Sequence, residues 1–263
     1  MPGRGWLGSA LGGALIIGVA GSAGAQDAPA PRAQGYAQVA QWPDWTGVWS
    51  PDWSILFPDG GRQPQRPSLT PAAQEQADAI RQRQEVEGIP QEAQAACRPP
   101  GMPGLMRQPY PIEFVYSPDR VTILVEAYEQ TRRIYLDGRA LPEDPDPLFN
   151  GTSVGHWEGD TLVIETVGLN PLSTAFEGLS ITPDTRIRER YWLKEPGLLL
   201  VETTITDPNL LTEPFTEMMA FRVEPGWEMR EYVCAENNRL TNEEGGANID
   251  LGFGDEDPFG PLP

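Results

Sequence analysis

The sequence predicts an all-β protein: an antiparallel meander that forms a β-barrel or a two-layer sandwich, with one peripheral helix near the N-terminus. From residue 112 onwards, short runs rich in β-branched and aromatic residues alternate with turn residues. No segment between these runs has the period of a crossover helix, so neighbouring strands are expected to pair antiparallel. About nine strands make a twisted sheet large enough to close on itself.

Residues 1–25 have the features of a secretory signal peptide. The basic residue Arg4 precedes an apolar stretch, and Ala23-Gly24-Ala25 supplies the small residues of a cleavage site. The apolar stretch is too short to span a membrane comfortably. We expect a periplasmic or secreted protein whose mature chain begins at about Gln26, with residues 26–41 as a linker.

The predicted β-rich domain, residues 42–239, opens with a cluster of tryptophans: Trp42, Trp45, Trp49 and Trp53. Prolines and a glycine between them interrupt any helix, so an extended segment with tight turns is expected. The cluster could seal one end of a core, stack on an aromatic ligand or form an interface with a partner, and the sequence leaves all three open.

A helix is predicted over about residues 71–87. Thr70 is a suitable N-cap, Pro71 suits the first turn and Gly88 suits the end. Its faces are only weakly apolar, which places it on the surface of the domain.

The predicted strands follow in order: Ile112–Tyr116, Val121–Tyr128, Arg132–Leu136, the two arms of a hairpin within residues 155–166, Thr185–Lys194, Leu198–Thr206, Phe215–Val223 and Trp227–Ala235. The hairpin turns at Glu158-Gly159-Asp160. Residues 240–263 are rich in glycine and acidic residues and are predicted to be a disordered tail.

The chain has two cysteines, Cys97 and Cys234. In an oxidising compartment such a pair most simply forms one disulfide. Closing so long a loop contributes roughly 4 to 5 kcal/mol in the chain-entropy description. A catalytic thiol is the alternative, but neither cysteine has the histidine in its neighbourhood.

The chain carries 19 basic and 38 acidic residues, which gives a net charge of −19. This charge repels phosphate backbones and anionic lipid surfaces, so nucleic acid and membrane insertion are not expected. The remaining partner classes are a small molecule or a protein, and the sequence does not identify a protein partner.

Two sets of motifs resemble known proteins. Thr46-Gly47-Val48-Trp49 is similar to the Gly-x-Trp motif of lipocalin-like (calycin) barrels, a resemblance that implies binding of a small ligand. The runs RIYLDGR (133–139) and WEGDTLV (157–163) resemble a family of uncharacterised secreted bacterial proteins, which implies no particular activity. Members of that family often have a histidine after the second cysteine, where this chain has Ala235.

The chain contains a single histidine, His156, so nearly every histidine-based reaction would depend on it. The candidate catalytic set is His156 with Tyr135, Asp137 and Glu165, acting as acid, base or hydrogen-bond donor. Ser153 within Gly151–Gly155 fits the Gly-x-Ser-x-Gly elbow, but the run enters a hairpin rather than a helix, so a glycine-rich strand entry is expected.

The candidate ligand-binding residues are Trp49, Arg133, Glu126 and Glu202. Arg133, Tyr135 and Asp137 share one face of a strand, which either lines a cavity or faces water. Glu126, Glu165 and Glu202 are in phase with apolar residues, so each is either a carboxylate with a raised pKa or half of a buried ion pair. Arg186, Arg188 and Arg190 form a stripe that is expected to face the protein's own acids on the surface.

No cofactor and no metal are expected. One histidine and two paired cysteines cannot supply a nitrogen or sulfur site, and no phosphate loop joins a strand to a helix. The acids at 143–146 with Asn150 leave calcium open, although their spacing matches no known calcium loop. The leading hypothesis is a protein that accommodates a small apolar or aromatic molecule inside a lipocalin-like barrel. One alternative is a cofactor-independent lyase, isomerase or hydrolase using His156, and another is a structural or partner-binding envelope protein; whether the protein is an enzyme stays open.

Overall fold

The computed structural model describes Gly3 and residues 35–56, 66–88, 97–176, 178–234, 240–243 and 246–249. All of these except Gly3 belong to one compact unit, Ala33–Pro263. The predicted signal peptide lies outside the described residues apart from Gly3. The same is true of residues 26–34 of the predicted linker, and a short helix, α1 (Tyr36–Val39), begins after them.

Nine strands form a closed barrel, which confirms the predicted fold class. Their bounds are β1 (Val48–Pro51), β2 (Ile112–Ser117), β3 (Arg120–Val125), β4 (Gln130–Tyr135), β5 (Thr152–Glu158), β6 (Thr161–Val167), β7 (Arg186–Glu195), β8 (Leu198–Thr206) and β9 (Phe215–Val223). Each strand pairs with the next, and β1 pairs with β9 to complete the ring.

One neighbouring pair in the ring is parallel, so the prediction of a purely antiparallel meander is wrong at that point. β4 and β5 pair in parallel through Ile134 with Ser153 and Tyr135 with Val154. The physical reason is parity, because strand directions cannot alternate all the way round a closed ring with an odd number of strands. The chain between β4 and β5 therefore crosses the outside of the barrel before β5 begins.

One of the nine strands in the ring is not among those that the sequence predicted. Residues 227–233 are irregular, so the strand expected over Trp227–Ala235 is absent from its described part. β1, which includes Trp49 of the Gly-x-Trp motif, lies between β2 and β9 and takes the ninth place in the ring. β1 is only four residues long and ends at Pro51, so its residues give little indication of a strand, which is why it was not predicted.

The predicted hairpin and helix are confirmed. Glu158 pairs with Thr161 across a two-residue turn in which Gly159 has a φ of +61°, as such tight hairpin turns require. α3 (Pro71–Glu87) begins after Thr70, whose side chain accepts a hydrogen bond from the Ala73 backbone N–H. A second short helix, α2 (Trp53–Leu56), follows β1.

Packed side chains close both ends of the barrel. At one end, Trp45 is fully buried against Phe114, Trp157 and Tyr191, with ring centroids 5.1 to 6.5 Å apart. Its Trp49 neighbour is also buried and donates from Nε1 to the Trp45 carbonyl at 2.8 Å. Trp45 and Trp49 are therefore part of the core, whereas Trp42 and Trp53 are half-buried and pack against it.

The opposite end is covered by the 3-10 helix Gly104–Arg107 and by the chain that follows β6. Arg107 forms an ion pair with Glu217 at 2.7 Å and donates to the Ala175 carbonyl at 2.8 Å. Phe176 packs edge-on against Phe215 with centroids 5.0 Å apart. These contacts join the covering segment to β9, so this end is also closed.

Cys97 and Cys234 form the predicted disulfide, with Cα atoms 5.7 Å apart. Within the tail predicted to be disordered, the structure instead places two short paired strands, β10 (Leu240–Glu243) and β11 (Gly246–Ile249). The rest of that tail, residues 250–263, lies outside the described residues.

Candidate functional site

The barrel interior contains a buried ion pair that the sequence did not reveal. Arg132 on β4 binds Glu189 on β7 through two hydrogen bonds of 3.0 and 2.6 Å, and both side chains are 0% exposed. The Tyr191 hydroxyl donates to Glu189 at 2.8 Å and accepts from Arg132 at 3.2 Å. Burial and the Glu189 charge raise the pKa of Tyr191, so the phenol stays protonated.

Together with the tryptophan cluster, this triad occupies the interior of the barrel. The positions facing inwards on β3, β6 and β8 carry buried side chains of Val121, Ile164 and Val201. A ligand inside the barrel would have to displace these side chains, which are buried among the described residues. The described inward-facing side chains therefore leave the interior a less favourable place for a ligand than the outer wall.

His156 lies on the outer wall of the barrel. Its side chain is 60% exposed, and Nε2 is 3.3 Å from Glu158 Oε1. Arg190 donates to the same carboxylate at 2.8 Å, and these two hydrogen bonds, the Arg190 bond first, lower the pKa of Glu158. His156 shares the outer wall with Tyr135 on β4 and Glu165 on β6, but among the described residues its side chain bonds to Glu158, and no hydrogen bond joins it to Glu165, Asp137 or Tyr135.

The three carboxylates proposed for the interior also lie elsewhere. Glu165 is exposed and Glu202 half-buried, on the outward faces of β6 and β8. Glu126 follows β3 and accepts a hydrogen bond from the Arg230 backbone N–H at 2.9 Å. Glu165 was misplaced because its neighbours Val163 and Val167 are buried although they belong to the outer side of the strand.

Ser153 is a structural residue rather than a nucleophile. It lies inside β5, is buried, and its hydroxyl is 2.8 Å from that of Thr166. Both glycines of the motif allow close packing: a Cβ on Gly155 would lie 2.8 Å from Ile134 Cγ2, and one on Gly151 would lie 2.7 Å from Thr166 Cγ2. The motif therefore fits a crowded strand entry, as the sequence analysis expected.

The candidate site lies on the outer wall, beside the short parallel pairing of β4 and β5. We call it the seam groove; its volume is about 340 Å³ and its lining is Gln130, Thr131, Arg133, Tyr135, Leu148, Phe149, Asn150, Gly151, Thr152 and Ser153. Arg133 and Tyr135, two of the residues singled out in the sequence, both line it. The predicted polar face of β4 thus borders a groove rather than open water alone.

Asp137 has a different role from the proposed base. Its side chain is only 4% exposed and accepts two hydrogen bonds of 2.9 Å from Arg139 Nε. These bonds lower the pKa of Asp137, so it stays ionised and paired. Arg139 in turn stacks on the Tyr135 ring with 3.9 Å between Cζ and the centroid, which holds the phenol side chain in place.

The wall of the groove opposite β4 is fixed by side-chain and main-chain hydrogen bonds. Asn150 Nδ2 donates to Gln130 Oε1 at 3.2 Å and to the Thr131 carbonyl at 3.3 Å. The Leu148 backbone N–H donates to the Gly168 carbonyl at 2.9 Å. Because both sides of the groove are tied to the barrel, a ligand would meet a largely preformed surface.

The chemistry of the groove combines a cation with apolar surface. The Arg133 side chain is exposed and has no hydrogen bond or ion pair to any residue that the structure describes. Leu148 and Phe149 supply aliphatic and aromatic surface nearby. Such a set can hold an apolar ring by contact and an oxyanion by a two-pronged guanidinium hydrogen bond.

Sequence reasoning missed Arg132, Glu189 and the groove wall at Phe149 and Asn150. Arg132 is in phase with Ile134, and Glu189 is in phase with Ile187 and Tyr191. Strand periodicity therefore contained the signal for the ion pair. The groove wall had no such signal, since it depends on how the chain returns from β4 to β5.

Among residues 35–56, 66–88, 97–176 and 178–234, no group of three or more acidic, histidine or cysteine side chains is placed to hold a metal ion. Nor does the described part of the chain contain a helix long and apolar enough to cross a membrane. Comparison of the sequence with protein-family models and with curated proteins finds no match. The function is therefore argued from the seam groove itself.

Proposed function

We propose that the protein binds a small aromatic molecule that carries a carboxylate, and that it does so in the seam groove. The observation that carries the proposal is Arg133, an exposed guanidinium without an acidic partner among the described residues, in a groove whose other walls include Phe149 and Leu148. The net charge of the chain is −19, so a site for an anion needs a local cation whose charge is not offset by an acid, and Arg133 supplies one beside apolar surface.

The size and position of the groove support a small ligand. Its volume of about 340 Å³ lies at the lower end of the usual range for small-molecule sites. The aromatic ring would contact Leu148 and Phe149, while the carboxylate would accept hydrogen bonds from Arg133 and from the Tyr135 hydroxyl. The proposed ligand keeps the aromatic character expected from the sequence, adds a carboxylate, and lies on the outer wall instead of in the interior of the barrel.

Phenylacetate is a suitable probe, and its neutral isostere phenylacetamide is the matched comparison. Calorimetry should show that phenylacetate binds more tightly than the amide. Arg133→Gln should weaken phenylacetate binding about tenfold or more, because a charge-assisted hydrogen bond contributes about 1.5 to 3 kcal/mol.

Arg190→Gln is the control, since Arg190 is an outer-wall arginine outside the seam groove. It should leave phenylacetate binding unchanged. If phenylacetate and phenylacetamide bound equally, or if Arg133→Gln and Arg190→Gln had the same effect, the proposal would fail.

We also propose that the protein works in the periplasm or is secreted, after removal of residues 1–25. The disulfide between Cys97 and Cys234 supports a compartment that is oxidising. The mass of the protein recovered from an exporting host should match a chain that begins near Gln26 and contains no free thiol. A full-length mass in the exported fraction, or two free thiols, would contradict this.

A further inference from the structure

A second groove lies on the outer wall across β6, β7 and β8. We call it the β7 groove; it has a volume of about 270 Å³ and is lined by Leu141, Glu165, Thr166, Val167, Arg186, Ile187, Arg188, Thr204 and Thr206. None of these residues lines the seam groove, so the two sites can be tested separately.

The two arginines that β7 contributes to this groove differ in how far nearby acids offset their charge. Arg188 faces Glu165 across the strand pair and lies 3.9 Å from Glu158, so acids on β5 and β6 offset its charge. Arg186 is exposed, and the part of the chain that the structure describes offers its side chain no hydrogen bond or ion pair. Arg186 is therefore the position in the groove that favours an anion.

Half of the remaining lining residues are aliphatic, and the other half are threonines. Leu141, from the segment that crosses the outside of the barrel, lines the groove together with the buried outward side chain of Val167. The hydroxyls of Thr204 and Thr206 are already engaged, with the Thr216 hydroxyl at 2.9 Å and with the Arg186 carbonyl at 3.4 Å. The Thr206 hydroxyl thus already donates to a carbonyl, and no aromatic side chain is among the described residues that line the groove.

From this arrangement we infer that the β7 groove binds a short aliphatic monocarboxylate, with the alkyl chain against Leu141 and Val167 and the carboxylate on Arg186. One uncompensated guanidinium matches one carboxylate, which it can hold through two parallel hydrogen bonds. The aliphatic lining favours an alkyl chain, whose transfer from water is favourable for each methylene group that is buried.

Hexanoate is the probe, with acetate as the headgroup alone and hexanol as the uncharged chain. In NMR titrations of the full protein, hexanoate should shift the methyl signals of Val167, Ile187 and Leu141, and it should bind more tightly than either comparison compound. Arg186→Gln should weaken hexanoate binding about tenfold or more. Leu141→Ala should weaken hexanoate binding but leave acetate binding unchanged.

Arg190→Gln serves again as the outer-wall control, and Arg133→Gln separates this site from the seam groove. Both variants should bind hexanoate like the original protein, whatever happens to phenylacetate. The inference is overturned if Arg186→Gln binds hexanoate as well as Arg190→Gln does, if the shifts fall outside the β7 groove, or if hexanoate does not bind at about 10 mM, a concentration that detects even very weak sites.

Discussion

At the scale of single residues, the main contrast is between arginines with and without partners. Arg132 is held inside the barrel by Glu189 and Tyr191, whereas Arg133, its neighbour in the chain, points to the seam groove with no partner among the described residues. Strand alternation produces this contrast, because successive side chains point to opposite faces. One residue stabilises the fold and the next is available for a ligand.

The buried pair gives a stability prediction. Glu189→Gln leaves the Arg132 charge buried without its partner, so the free energy of unfolding should fall by about 3 to 5 kcal/mol in urea denaturation. Glu202→Gln, a half-buried glutamate on β8, should change it by less than about 0.5 kcal/mol. Equal losses in the two variants would show that the Arg132–Glu189 pair does not hold the interior together.

His156 shows what residue type alone cannot predict. A lone histidine invites a catalytic interpretation, yet its role depends on which face of β5 it occupies, and strand phase decides that. Ser153 and Trp157 indicate this phase, because they lie on the face of β5 opposite to His156 and both point inwards. Strand phase also decides the position of Glu165, which lies on the outer side of β6 between two buried valines, Val163 and Val167.

At the scale of elements, the short parallel pairing of β4 and β5 creates the site. Hairpins and turns were predicted correctly because they depend on local residues such as Gly159. The β4–β5 pairing was not, because a closed ring of nine strands requires a parallel pair but does not fix where in the ring it lies. The entry to β5 at Gly151 makes this close return of the chain possible.

Gly151 therefore gives an element-scale prediction. It has a φ of +64°, and an added Cβ would lie 2.7 Å from both Thr166 Cγ2 and the Val167 carbonyl. Gly226 has a φ of +78° with nothing within 4 Å, so Gly226→Ala tests the backbone cost alone. In thermal or urea unfolding, Gly151→Ala should lose about 1 to 3 kcal/mol more than Gly226→Ala, because the crowded site adds a packing cost. Equal losses would mean that the β5 entry relaxes freely.

At the scale of the whole molecule, the described side chains that point into the barrel are buried against one another, and packed segments lie over both of its ends. The fold class, the helix Pro71–Glu87 and the Cys97–Cys234 disulfide were all predictable, since patterning, capping and cysteine count report on them directly. The filling of the interior was not, because the sequence of a filled barrel and that of a ligand-binding barrel share the same alternation. Any ligand site on the described molecule is consequently sought on the outer wall.

Binding in the seam groove is tested most directly by mapping phenylacetate binding by NMR on the isotope-labelled protein. The seam groove predicts that the largest shifts fall on residues 130–135 and 148–152, with the indole N–H signals of Trp45 and Trp157 unchanged. Shifts centred on those two indoles would place the ligand inside the barrel and contradict binding in the seam groove.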